Sequence, residues 1–144
     1  MMKHYKFKEI EIGTVEEFSV DITDENMELF AKLTGDLNPM HLDADYAKLC
    51  SGGGYRDRLV YGMLASLYYS TLVGMYLPGE RCILNSCNVI YRNPVYVGDC
   101  LLIHGEVVDK REGTHRIKIK GEMRNQENII VNSAEIMVGF TYVE

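Results

Sequence analysis

No apolar run in this 144-residue chain approaches the roughly 20 residues that a membrane-spanning helix needs. The N-terminal stretch MMKHYKFKEIEIG also lacks the continuous apolar segment of an export signal, so a cytoplasmic protein is expected. Nor is there an excess of positive charge. The formal net charge is −6, and an acidic surface repels both phosphate backbones and anionic lipid. Nucleic acid and membrane are therefore not expected partners. Cys50, Cys82, Cys87 and Cys100 form no CxxC pair, and no histidine stands at metal-ligand spacing from them. They read as small buried hydrophobes in a reducing compartment, and no metal site is expected. Repeats, low-complexity stretches and internal linkers are absent, which leaves one domain spanning residues 1–144.

What the chain does have is material for a core, since 47% of its residues are apolar. Residues 1–22 read as extended polypeptide. Thr23 then caps a helix over Asp24–Thr34, with Asp24 and Glu25 at its positive end. Met27, Phe30, Ala31 and Leu33 form its apolar stripe, and Gly35 is its left-handed stop. Pro39 forbids continuation of that helix and pushes Asn38 towards an extended conformation. Asp43 caps a short second helix through ADYAKLC, followed by a mobile glycine-rich loop, SGGGYRDR. From Gly62, GMLASLYYSTLVGMY predicts a helix of about four turns, apolar nearly all round and hence buried. Gly62, Ser66, Ser70 and Gly74 put a stripe of small residues on it. For Ser66 and Gly74 that stripe suggests tight packing against a sheet.

The last third predicts four strands, at 82–92, 99–109, 114–124 and 128–142, separated by NPVYVGD, DKREG and NQEN. In the third of these, Ile117, Ile119, Gly121 and Met123 share one face, with Arg116, Lys118, Lys120 and Glu122 on the other. The expected fold is α+β, a curved antiparallel sheet wrapped around one long buried helix. The helix covers one face, so the other face needs a loop or a partner subunit.

Two stretches carry chemistry. In LTGDLNPMHLDADYA, Asp36 and His41 lie on a turn that Pro39 can close to bring both side chains to one point. A carboxylate and an imidazole make an acid–base pair that works near neutral pH. Asn38 can fix the turn through backbone hydrogen bonds. Taken alone, the same residues also fit a helix cap followed by a structural loop with an incidental histidine. In RLVYGMLASLYYS, Gly62 opens the buried helix, whose first amides lack internal partners and carry partial positive charge. A thioester carbonyl could approach closely there. A glycine chosen for packing fits equally. His104 and His115 fall on predicted strands without a carboxylate at motif spacing. Arg116, Lys118, Lys120 and Arg124 read as a solvated strand face, and Arg56 and Arg58 are the better candidates for binding phosphate.

Together these stretches resemble the MaoC-like (R)-specific enoyl-CoA hydratases, which have the hot-dog fold. The resemblance rests on Asp36-Leu37-Asn38-Pro39-Met40-His41 and the Gly62-Met63 start of the long helix. The connection NPVYVGD, Asn93 to Asp99, gives further support. It covers about residues 12–140. It implies Asp36 and His41 as the catalytic dyad and the Gly62 amide as the oxyanion-hole donor. Asn38, Tyr61, Ser70, Arg56 and Arg58 would lie about the substrate. The implied reaction is reversible syn addition of water to a trans-2-enoyl-CoA, with no cofactor beyond the CoA of the substrate, in a homodimer or higher homo-oligomer. Two departures stand out: Tyr61 replaces the family's usual histidine, and the loop before it is long, with Asp57 where proline is common. Both changes flank the substrate entrance. A hot-dog acyl-CoA thioesterase and a non-catalytic acyl-CoA-binding protein are the rival expectations.

Overall fold

The computed structural model describes residues 1–141. Its frame is one five-stranded sheet, wholly antiparallel, in the order β1–β3–β4–β5–β2. The strands are β1 (Val15–Asp21), β2 (Cys82–Tyr91), β3 (Cys100–Arg111), β4 (Arg116–Arg124) and β5 (Ile130–Phe140). The four strands expected from the last third are present with ends within two residues of those expected; residue 142 lies outside the described residues. Alternation decides which face is covered. Leu101, Ile103 and Val107 of β3, Ile117, Ile119 and Met123 of β4, and Ile136 and Val138 of β5 are fully buried on one face. Each such aliphatic side chain contributes on the order of 1.5–3 kcal/mol by leaving water.

The N-terminal segment departs from expectation. Only Val15–Asp21 is a strand. Residues 1–14 turn instead, with Glu9 N and Ile10 N both bonded to Lys6 O, and bury Phe7 and Ile10 in the core. Two large apolar side chains in a short turn gain more from burial than from an exposed extended path.

Helix α1 (Asp24–Thr34) has the expected limits. The Thr23 side chain accepts from Asn26 N, and Asn26 returns the bond to Thr23 N, closing a capping box. Gly35 ends the helix at φ 74°. Pro39 stands beyond the end of α1, and instead of only barring a helix it starts a new turn, α2 (Pro39–Leu42), because proline suits the first helical position. Asp43 caps α3 (Ala44–Cys50) by accepting from Asp45 N and Tyr46 N. The SGGG loop, expected to be mobile, is tied to the end of α3. Gly52 N donates to Leu49 O, Gly53 N to Lys48 O, and Tyr55 N to Ser51 Oγ.

The long helix is the main correction. It runs as α4 (Gly62–Ser66), α5 (Tyr68–Thr71) and a π-turn (Leu72–Tyr76). Leu67, Thr71 and Leu72 keep right-handed helical dihedrals, so the rod is continuous while its hydrogen-bond spacing changes. Leu67 N is shared between Met63 O and Leu64 O, and Leu77 N reaches back to Leu72 O. The rod is also buried on one side only. Leu64, Ala65, Tyr69, Leu72 and Val73 face the sheet, whereas Met63 is 68% and Leu67 52% exposed. The small stripe packs closely only at its start, where the Tyr91 ring lies against Gly62 and its hydroxyl bonds Ser66. A Cβ on Gly74 would meet nothing within 4 Å, whereas one on Gly121 would lie 2.5 Å from Tyr69 Cε1 and one on Gly105 2.7 Å from Leu72 Cδ2. Glycines in the sheet make room for the large helix side chains Leu72 and Tyr69.

Candidate active site

The turn after α1 is held by successive short-range bonds. Thr34 Oγ1 donates to Phe30 O (2.7 Å) and accepts from Asp36 N (3.2 Å). Asp36 Oδ1 accepts from Asn38 N (3.1 Å), and Asn38 Oδ1 accepts from Met40 N (2.9 Å). Asn38 therefore fixes the loop through the backbone, as expected. His41 N donates to Asn38 O (2.9 Å), which seats the histidine on α2.

Asp36 and His41 line a single cavity of about 230 Å³ together with Phe30, Tyr61, Gly62, Met63 and Tyr91. Asp36 is exposed and His41 half-buried. His41 Nδ1 lies 2.8 Å from Leu59 O. A carbonyl oxygen can only accept, so Nδ1 carries the proton there, and a neutral ring has Nε2 left as an acceptor.

Tyr61 is 2% exposed, and its ring lies between Phe30 (centroids 4.6 Å apart) and His41 (4.1 Å). Its hydroxyl donates to the backbone oxygen of Asp36 at 2.7 Å. Burial, and next the charge of Asp36, push the phenol above the usual tyrosine range. Tyr61 thus remains a donor and acts on the substrate space by holding Asp36. Gly62 stands at the cavity mouth at the start of α4. The first bond into this helix is Ala65 N to Tyr61 O, so the Gly62 amide precedes the helical ladder.

Ser70, Arg58 and Arg56, three of the expected substrate contacts, do not line the dyad cavity. Ser70, on α5, is exposed and lines neither of the two cavities that His41 lines. Arg58 is paired with Asp24 at the start of α1. Arg56 stacks over Tyr96 (4.3 Å to the ring centroid) and reaches within 3.7 Å of Asp99. Asp99 is 2% exposed and also accepts from Tyr96 N (2.9 Å) and Gln126 Nε2 (2.8 Å), so NPVYVGD is a braced turn. Both arginines have carboxylate partners that compete with any phosphate. Of the other histidines, His104 on β3 stands 3.3 Å from Glu17 on β1. His115 is not on a strand but in the turn before β4, at φ 50°, packed edge-on against Phe7. The strand cations are partly paired, Lys118 with Glu135 (3.8 Å) and Arg124 with Glu122 (2.7 Å).

Sequence reasoning missed Phe30 and Tyr91 as wall residues and Asn132 as a floor residue of the neighbouring cavity, and left Met63 open between pocket wall and core. Asn132 is 1% exposed and accepts from Tyr69 Oη at 2.6 Å. The one available signal was an asparagine in the apolar phase of a strand.

Residues 7–129 match the MaoC-like domain. The chain belongs to the MaoC-like domain family. Among curated MaoC-like relatives, it is 30% identical over 120 residues to an (R)-specific enoyl-CoA hydratase from Rhodospirillum rubrum, covering 81% of each chain. It is 26% identical over 129 residues to a mitochondrial 3-hydroxyacyl-[acyl-carrier-protein] dehydratase from Arabidopsis thaliana, covering 88% of this chain and 75% of that one. Among solved structures, an unliganded R-hydratase from Pseudomonas aeruginosa superposes with a TM-score of 0.86 at 29% identity, over 96% of this chain and 87% of that one. The MaoC-like sheet and helix are thus the hot-dog fold of R-hydratases.

Proposed function

We propose that this MaoC-like protein is an (R)-specific enoyl-CoA hydratase, adding water reversibly to trans-2-enoyl-CoA to give the (R)-3-hydroxyacyl-CoA. The observation that carries the reading is the shared cavity of Asp36 and His41, with the imidazole held by Leu59 O so that a neutral ring offers Nε2 as an acceptor. Relatives named as enoyl-CoA hydratases support it. A water between the two groups gives up a proton as its oxygen bonds to C3, and C2 gains a proton from the same side. Negative charge gathers meanwhile on the thioester oxygen, where the Gly62 amide donates; one such donor is typically worth about 3 kcal/mol. Tyr61 and Asn38 position Asp36 and need not touch the substrate.

The assay is crotonyl-CoA hydration. Loss of the enoyl absorbance without release of free thiol, and an (R) product, are the expected results. Thiol release would favour the thioesterase instead. The same assay on a crotonyl carrier-protein thioester measures which carrier is preferred.

The proposal extends to a cytoplasmic homodimer acting in fatty-acid metabolism. All four cysteines are free thiols, which suits a reducing compartment, but none is the buried hydrophobe expected: Cys50 and Cys87 are exposed and Cys82 and Cys100 partly so. The edge strand β2 exposes Ile83, Leu84 and Ile90, and an exposed apolar edge favours pairing with a second copy. Light scattering is expected to give twice the chain mass; a fully active monomer at assay concentration would sink this part.

A further inference from the structure

His41, Gly62 and Tyr91 line not one cavity but two. On one side is the dyad cavity of about 230 Å³. On the other is a space of about 280 Å³ that reaches between helix and sheet to Val60, Ala65, Val95, Val131 and Asn132, all of them buried. Tyr91 stands at the end of β2 in the wall between them. Its ring lies over Gly62, where a Cβ would come within 3.1 Å of Tyr91 Cε1. Its hydroxyl is 3.0 Å from Ser66 Oγ on α4. Ser66 Oγ also lies 3.1 Å from Met63 O, an oxygen that can only accept, so the serine proton goes there and Tyr91 is the donor to Ser66. The wall is therefore tethered at its tip as well as at its root.

We propose that Tyr91, latched to Ser66, sets the acyl-chain length that this protein accepts: it closes the deep apolar space off from the dyad cavity and restricts the substrate to short-chain enoyl thioesters. This rests on the hydratase reading. The geometry explains the selectivity without a change of fold. A four-carbon acyl group ends within the dyad cavity. A ten-carbon one has to pass the Tyr91 ring to gain the deep space, and each methylene it buries there raises affinity about fourfold.

The test separates binding from turnover. Calorimetry measures the Kd values of butyryl-CoA and decanoyl-CoA for the wild type, Tyr91→Ala, Tyr91→Phe and Ser66→Ala. The wild type is expected to bind butyryl-CoA more tightly. Tyr91→Ala joins the two spaces and should shift the Kd ratio at least tenfold towards decanoyl-CoA. Tyr91→Phe and Ser66→Ala keep the wall but remove its tether, and should shift the ratio the same way by about two- to fivefold. These two variants decide the matter if Tyr91→Ala does not fold. A ratio unchanged within twofold in folded variants, or a wild type that already prefers decanoyl-CoA, overturns the assignment. Wild-type hydration of crotonyl-CoA is read alongside. A shifted ratio without hydration leaves Tyr91 as the selector and removes the hydratase, and hydration with an unshifted ratio does the reverse. Failure to bind either ester overturns both.

Discussion

Replacing Tyr61 by phenylalanine isolates one atom of the site. The ring keeps its place between Phe30 and His41, so packing is preserved. What is lost is the 2.7 Å hydrogen bond to Asp36 O. A net hydrogen bond contributes about 1 kcal/mol, and an orphaned buried acceptor costs roughly 1–3 kcal/mol. Asp36 is exposed, so water can replace the lost donor, and the lower figure applies. That corresponds to a fall in Tm of about 3 °C for a domain of this size. The functional effect is expected to be larger than the structural one. A catalytic group displaced by about 1 Å can cost on the order of a hundredfold in rate, and Asp36 keeps its other tethers, from Asn38 N and to Thr34 Oγ1. Tyr61→Phe should lower kcat for crotonyl-CoA hydration about tenfold with KM nearly unchanged. The sign with pH also follows. The phenol is raised in the folded state, so its contribution is complete below the ordinary tyrosine value of about 10 and is lost as pH rises through the higher folded value. The difference in Tm between wild type and variant should be flat from neutral pH to about 9 and shrink at higher pH. Unchanged kcat in the variant would refute the positioning role, and complete loss of turnover in a stable variant would mean that the hydroxyl acts on the substrate itself.

Two further outcomes follow from the same geometry. Gly62→Val should fold with a modest loss of stability, since its side chain meets the edge of the half-exposed Tyr91 ring rather than backbone, yet lose most turnover by displacing the thioester carbonyl; near-normal activity would place the oxyanion hole elsewhere. Tyr69→Phe strips the donor from buried Asn132 and should cost roughly 1–3 kcal/mol by chemical denaturation, and an unchanged unfolding midpoint would show that water satisfies the asparagine.

Much of this arrangement was legible before any coordinates. Thr23, Gly35, Pro39 and Asp43 are local punctuation, whose effect is settled within a few residues, and each acts in the structure as its chemistry dictates. The burial of Ile117, Ile119 and Met123 followed from strict alternation. What escaped depends on partners distant in sequence. Tyr91 meets Ser66 and Gly62 only because β2 runs beside the helix, and nothing in the spacing of these residues encodes that. The long helix read as buried all round because its apolar content was taken for its surroundings, whereas Met63 and Leu67 face outward. Ser70 was assigned by motif position, and it is exposed outside both cavities that His41 lines. Arg56 and Arg58 read as free cations because Asp99 and Asp24, their partners, lie more than thirty residues away in the chain.

The central claim is that Asp36 and His41 act on one water. The most direct test is crotonyl-CoA hydration by Asp36→Asn, His41→Ala and the double variant, each with a thermal melt. Asp36→Asn keeps the acceptor for Asn38 N but removes the basic carboxylate. Each single change should lower kcat by about two to four orders of magnitude. The double variant should be little worse, because groups that act as a unit are not additive. KM and melting temperature should move far less. Full turnover by a stably folded Asp36→Asn variant would contradict the account.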